Sequence, residues 1–169
     1  MILDKDTTIA VFKYSQTAVR FVVEIPDTFY LSIAFDGKHY DTDAIIFYAD
    51  QDDYAVYDVI LNGFAEPTLK TDSATTIRNH KYSSTTNTHT FTVERAFDPG
   101  DDEHYVIEAD AIELLGFAIR THDVAAKDED GTVTEFGSHT RYGFFNYYLW
   151  NGGDTSYWGV YVNSDYVLD

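Results

Sequence analysis

Apolar and polar positions alternate in short runs along most of this chain, with a period near two rather than the 3.6 of a helix. Thr7 to Tyr14 and Thr17 to Ile25 are rich in Val, Ile, Phe and Thr, which suit a pleated, half-buried surface, and Ser15-Gln16 separates them as a short turn. The spacing predicts an opening hairpin. Pro26-Asp27 then punctuates the chain, because proline cannot donate to a sheet ladder, and further strands are expected over Thr28 to Phe35, Ala44 to Ala49 and Tyr54 to Leu61. The four polar residues Asp50-Gln51-Asp52-Asp53 suit a hairpin loop between the last two.

Beyond Asn62-Gly63 the pattern weakens. Glu66 to Thr88 is polar, with only a short strand suggested near Thr75 to His80. Alternation returns at His89 to Arg95, followed by an acidic turn at Asp98 to Asp102 and a short expected strand at Tyr105 to Glu108. Ala109 to Arg120 fits a helix or a buried strand about equally, and its strand neighbours favour strand. Lys127 to Gly131 reads as a turn; Thr132 to Phe136, Phe144 to Trp150 and Tyr157 to Val162 read as strands. Roughly ten short strands spaced by turn signals predict an all-β fold, an antiparallel immunoglobulin-like β-sandwich. Residues 1–149 are expected to form that sandwich, with 150–169 as an aromatic, Gly- and Tyr-rich strand or tail packed on the same domain.

Composition narrows the function. The 169 residues make one domain's worth of chain, and 44% apolar and 17% aromatic content is too rich for a disordered one. A formal charge of -18 repels phosphates and anionic head groups, so neither nucleic acid nor a membrane surface is an expected partner; cationic partners stay open, and solubility is the commoner use of so much acid. The absence of cysteine removes disulfides, thiolate metal sites and cysteine nucleophiles. No apolar run approaches the ~18 residues of a membrane span. The start, Met1-Ile-Leu-Asp-Lys-Asp, lacks a signal peptide's basic and apolar regions, so a leader is either absent or already removed.

His39 and His139 lie in polar turns beside apolar runs, a common way to present a ligand from a rigid scaffold, although loop histidines are more often simply solvated. His39 follows one predicted strand and His139 precedes another. Were those strands antiparallel, both imidazoles would reach the same edge of the sandwich. His80, His89 and His104 read as surface residues. The clusters Asp50 to Asp53, Asp98 to Glu103 and Asp128 to Gly131 have the charge of calcium loops without EF-hand ligand spacing, so calcium is the lesser expectation. No Gly-x-Ser-x-Gly elbow, His-Glu-x-x-His helix or phosphate-binding glycine loop occurs.

Three stretches carry a family resemblance: Leu31 to Phe47, with Asp43 opening the next strand; Thr90-Phe-Thr-Val-Glu-Arg95-Ala-Phe-Asp98-Pro-Gly-Asp101; and His139-Thr-Arg141-Tyr-Gly143. Over roughly Val11 to Leu149 the chain resembles the DOMON domain family, which includes the haem b cytochrome domains of fungal cellobiose dehydrogenases. In haem-binding members the iron sits between a methionine in the early loop and a histidine in the late motif. The methionine position falls on His39 here, and the chain's single methionine is Met1. The resemblance therefore implies a bis-histidine haem b (iron protoporphyrin IX) held by His39 and His139, with His122 as the substitute for His139. It places Phe35, Tyr40, Phe47, Phe136, Arg141, Tyr142 and Phe144 around the macrocycle. The implied role is single-electron transfer rather than catalysis, in an extracellular, lumenal or periplasmic setting, to a redox partner of basic surface and with self-association also open. The competing expectation is a cofactor-free module binding carbohydrate or protein. A piece of a larger oxidoreductase is a third.

Overall fold

The computed structural model describes residues 2–4, 6–37, 40–51, 53–63, 65–108, 111–121 and 126–149. His39, His122 and the expected strand at Tyr157 to Val162 lie outside them. The strands are β1 (Ile2–Asp4), β2 (Thr7–Lys13), β3 (Ala18–Pro26), β4 (Phe29–Phe35), β5 (Tyr40–Asp50), β6 (Asp53–Asn62), β7 (Ala65–Leu69), β8 (Thr75–Ser83), β9 (Thr88–Ala96), β10 (Ile112–Thr121), β11 (Ala126–Lys127), β12 (Val133–Glu135) and β13 (Arg141–Tyr148). They form two antiparallel sheets, β1-β2-β3-β9-β8 and β13-β10-β4-β5-β6-β7, and a small β11-β12 ribbon. The all-β sandwich is thus present. The tightest expectations, β2, β3, β4 and β9, begin and end within about two residues of prediction.

Two departures concern weak patterns. The polar stretch after Asn62 carries two strands, β7 and β8, rather than one short one. Tyr105 to Glu108 is not a strand; it is held by isolated bonds, Ile107 N to Phe97 O at 2.8 Å and Tyr105 N to Asp43 Oδ2 at 2.6 Å, rather than by a ladder.

The five-stranded sheet is wet on one side. Along β3, Val19, Phe21, Val23 and Ile25 are fully buried and alternate with partly exposed neighbours, the pattern of a sheet with a single packed face. Those side chains meet Leu31, Ile33, Phe35, Ile45 and Phe47 from the six-stranded sheet. Edge-to-face pairs, Phe21 with Phe35 at 6.3 Å and Phe47 with Phe91 at 5.8 Å, knit the two layers.

The six-stranded sheet is covered on both sides at its centre, along β4 and β5. Tyr30, Ala34, Ala44, Ile46, Tyr48, Val59 and Leu61 form a second buried cluster on its outer face, roofed by Val133 and Phe136. That roof creates the cavity described below.

Buried polar groups plug both ends of the inner core. On β9, His89, Phe91, Val93 and Arg95 share the inward face, and each terminal member meets an aspartate: His89 Nε2 with Asp27 Oδ1 at 3.2 Å, and Arg95 Nη2 with Asp43 Oδ2 at 2.8 Å. His89 and His104 are therefore interior residues, 0% and 6% exposed, and not the surface histidines their polar neighbours suggested. His104 turns inward because Nδ1 bonds the Asp101 carboxylate at 2.7 Å.

Candidate functional site

The outer face of the six-stranded sheet is floored by small residues. Ser32 and Ala34 on β4 lie beside Ala118 and Gly116 on β10, in direct register. Large side chains at these four positions would fill the face; small ones leave a hollow. A cavity of about 310 Å³ opens there, lined by Tyr30, Ile46, Leu61, Phe136, Tyr142 and Phe144 around that floor, with His139 at its wall. The volume is at the lower end for small-molecule and cofactor pockets, and such pockets are lined as this one is, by apolar and aromatic groups with a few polar ones.

The loop that brings His139 to the cavity is pinned on both sides. Glu66 accepts backbone bonds from Phe136 N at 2.9 Å and Gly137 N at 3.2 Å through its two carboxylate oxygens. Tyr30 donates its hydroxyl to Gly137 O at 3.1 Å. Thr140 N donates to Ile119 O at 2.9 Å, fastening the loop to β10. Phe136 wedges edge-on between Tyr30 at 6.0 Å and Tyr57 at 5.6 Å. Gly137 has φ +65°, a left-handed backbone that favours glycine, and a Cβ there would also displace the Arg120 guanidinium. Burial pushes the Tyr30 phenol up to about 12, against the pull of Arg120 and with the push of Glu66, so it stays a neutral donor near neutral pH.

His139 is half-buried, and its ring meets Tyr142 edge-on at 5.2 Å between centroids. Of the aromatic residues expected around a macrocycle, Phe136, Tyr142 and Phe144 line the cavity. Phe35 and Phe47 do not. Both are fully buried on the opposite face of the sheet, between the layers, because strand alternation sends them inward with Leu31 and Ile33. Tyr40 is 70% exposed at the start of β5, and Arg141 pairs with Asp4 across the β1 and β13 edges. The expected list lacked Tyr30, Ile46, Leu61 and the small-residue floor. The run of small residues at alternate positions, Ser32 and Ala34 against Gly116 and Ala118, was the available signal.

The condition under which both imidazoles would share one edge, antiparallel strands, is not met by β4 and β13. β10 lies between β4 and β13 and is antiparallel to each, so β4 and β13 run parallel. His139 precedes β13 at the Ile119 end of β10, whereas Gly37, the last described residue before His39, sits against Leu114 and Phe144 at the other end. Gly37 and His139 thus sit toward opposite ends of β10, with the cavity floor of Gly116 and Ala118 between them.

The acidic clusters serve their own turns. Asp128 Oδ1 accepts from Asp130 N at 3.1 Å and Thr132 N at 2.8 Å, and Asp98 Oδ1 from Gly100 N at 2.8 Å. Among the described residues no group of three or more His, Asp or Glu side chains is placed to hold a metal ion. No helix among them is long and apolar enough to cross a membrane.

No protein-family model and no curated protein matches the sequence. Solved structures do match the fold. The cytochrome b domain of pyranose dehydrogenase from Coprinopsis cinerea superposes with a TM-score of 0.63 at 9% identity, over 83% of this chain and 73% of that one. The cytochrome domain of Myriococcum thermophilum cellobiose dehydrogenase gives a TM-score of 0.60 at 10% identity, over 87% of this chain and 78% of that one. The fold is therefore the one that the DOMON resemblance implied.

Proposed function

We propose that this chain is a b-type cytochrome module that binds one haem b in the outer-face cavity and passes single electrons. The observation that supports this most directly is His139: an imidazole on a doubly pinned loop, at the wall of an apolar cavity, in the fold of two solved cytochrome domains. The described lining suits the group, since a flat apolar macrocycle needs a small-residue floor and aromatic walls, and its iron would take a histidine such as His139 well. Haem b, when bound, supplies a one-electron ferric/ferrous couple.

The residues divide the work. Glu66, Tyr30 and Thr140 hold the His139 loop, so the imidazole is aimed before any ligand arrives. Phe136 is buried, and Tyr142 and Phe144, each more than a third exposed, offer ring faces that a bound macrocycle would cover. His39 is the proposed second histidine ligand. An iron held by two protein imidazoles would keep no coordination site open, so the role would be carriage rather than catalysis, in a free protein or as one domain of an oxidoreductase. The charge of -18 suits a basic redox partner met outside the cell, with association weakening as salt rises.

The test is a visible spectrum of the protein reconstituted with haem. A Soret band that shifts on reduction is expected, lost or converted to a high-spin form in His139→Ala and in His39→Ala. His39→Met should raise the midpoint potential, because methionine ligation raises it relative to imidazole. No haem uptake at all would leave the cofactor-free binding module in its place, and a His39→Met potential at or below the unaltered protein's would remove His39 as a ligand.

A further inference from the structure

A second histidine cluster lies away from the cavity, at the open edge where β8 of one sheet faces β6 of the other. His80 Nε2 lies 3.0 Å from His89 Nδ1, and His89 Nε2 lies 3.2 Å from Asp27 Oδ1. Tyr54 of β6 stacks on His80 with ring centroids 3.6 Å apart, which closes the edge across the two sheets. Asp27 is fixed in turn by Gln51 N, which donates to the same Oδ1 at 2.6 Å.

The tautomers follow from donor and acceptor counting. An ionised carboxylate only accepts, so His89 must carry its hydrogen on Nε2. Its Nδ1 is then a lone pair, which His80 Nε2–H must fill. Both rings are thereby fixed in the Nε2–H form, and the one ring lone pair left over is His80 Nδ1. A first added proton can settle there with the chain intact. A second cannot, because its place is His89 Nδ1, where it would set two N–H donors against each other at 3.0 Å.

We propose that the Asp27–His89–His80 chain is an acid-sensitive latch on the β6–β8 edge: it tolerates one proton and is released by the second. The other groups facing the pair do not compensate. Tyr54 and Tyr82, the latter 4.7 Å from the His89 ring, present aromatic rings, Phe91 is apolar, and Asp27 is the carboxylate within bonding distance. Burial first, and then the neighbouring His89, pushes the His80 ionisation below its ordinary value. A group with a lowered folded value binds its proton more readily once released. The first proton, on His80, is therefore taken up less readily by the closed pair than by the opened one: closure is fully favoured above the ordinary histidine value of about 6.5 and loses ground as pH falls through it toward the lower folded value, and the second proton, which has no place in the closed pair, removes what remains.

Imidazole nitrogen NMR and amide-exchange protection factors on the full chain test this from about pH 8 to about pH 5, a range that brackets the ordinary histidine value. The expected result has both rings as Nε2–H tautomers at the upper end. Protection of the β8 amides near His80 should fall as pH drops below about 6.5, with a slope that approaches about tenfold per pH unit for each proton the opening takes up. His80→Phe keeps a ring for Tyr54 but no facing N–H, and its slope should be shallower, by up to about tenfold per unit for each proton no longer taken up. An Nδ1–H tautomer at His89, two imidazolium rings with protection unchanged, or a His80→Phe slope equal to the unaltered one would each overturn the latch. None of these readouts depends on haem.

Discussion

Asp43→Ala is the substitution with the largest stability loss that the geometry supports. Its carboxylate, 5% exposed, collects Lys70 Nζ at 2.7 Å, Arg95 Nη2 at 2.8 Å and the Tyr105 amide at 2.6 Å. Both cations are buried with it, Lys70 at 2% and Arg95 at 0% side-chain exposure. Deleting one partner of a buried pair costs about 3–5 kcal/mol, chiefly because the other charge is left uncompensated. Arg95 would keep the Tyr105 carbonyl at 2.6 Å and the Phe35 ring at 4.4 Å, and Lys70 would keep the Glu103 carbonyl, which holds each cation's cost toward the low end. A buried Tyr105 amide left without its acceptor adds about 1–3 kcal/mol. Taken together the loss should be about 4–6 kcal/mol, a large part of the 5–15 kcal/mol of an ordinary domain.

Urea unfolding followed by far-ultraviolet circular dichroism measures this as a drop in midpoint at unchanged slope. The source of the loss is separable. Adding Arg95→Met to Asp43→Ala removes a stranded guanidinium and should restore about 1–3 kcal/mol, since the two sites share one interaction and are not additive. An Asp43→Ala loss below about 1 kcal/mol, or a double variant worse by the full cost of Arg95→Met alone, would refute the stranded-charge reasoning.

Two further predictions concern the layers around the cavity. Phe47→Ala should cost about 3–5 kcal/mol by the same unfolding assay, while leaving haem uptake intact, because its ring fills the inter-sheet core and not the cavity. Gly37→Val should cost about 1–3 kcal/mol, since φ is +58° and a Cβ would come within 2.5 Å of Leu114; it should also disturb the axial spectrum, because Gly37 sits against Phe144 in the cavity wall.

Much of this fold can be read from the chain because one sheet is packed on a single side. In β3, the series Val19, Phe21, Val23 and Ile25 alternates cleanly with Arg20 and Glu24, so strand, face and core position come together. The edge strand β8 is the opposite case. Thr75 to Ser83 is mostly exposed, its ladder partner lies on one side alone, and polar residues there suit an edge that must not recruit another chain. Its pattern carries little hydrophobic signal, so only the part from Thr75 to His80 of a nine-residue strand shows in the sequence. His89 misleads for a related reason. Its neighbours in sequence, Thr88 and Thr90, are polar, but its place in the alternation, two before Phe91, already assigned it to the inward face.

The cavity was harder to read because β4 and β5 are buried on both faces. Alternation says that Tyr30, Ser32 and Ala34 share one side and Leu31, Ile33 and Phe35 the other, but both sides are apolar enough to be core. Bulk aromatic residues near a candidate ligand therefore pointed to Phe35 and Phe47, which the five-stranded sheet covers. Size rather than polarity separates the faces. The inner series is uniformly large, as close packing between two sheets demands, whereas the outer series shrinks to Ser, Ala and Gly where β4 meets β10. A face that is dry yet too small to fill its own volume needs either a roof or a ligand. Here the Phe136 to His139 loop supplies part of that cover, and the remaining hollow carries an imidazole at its wall.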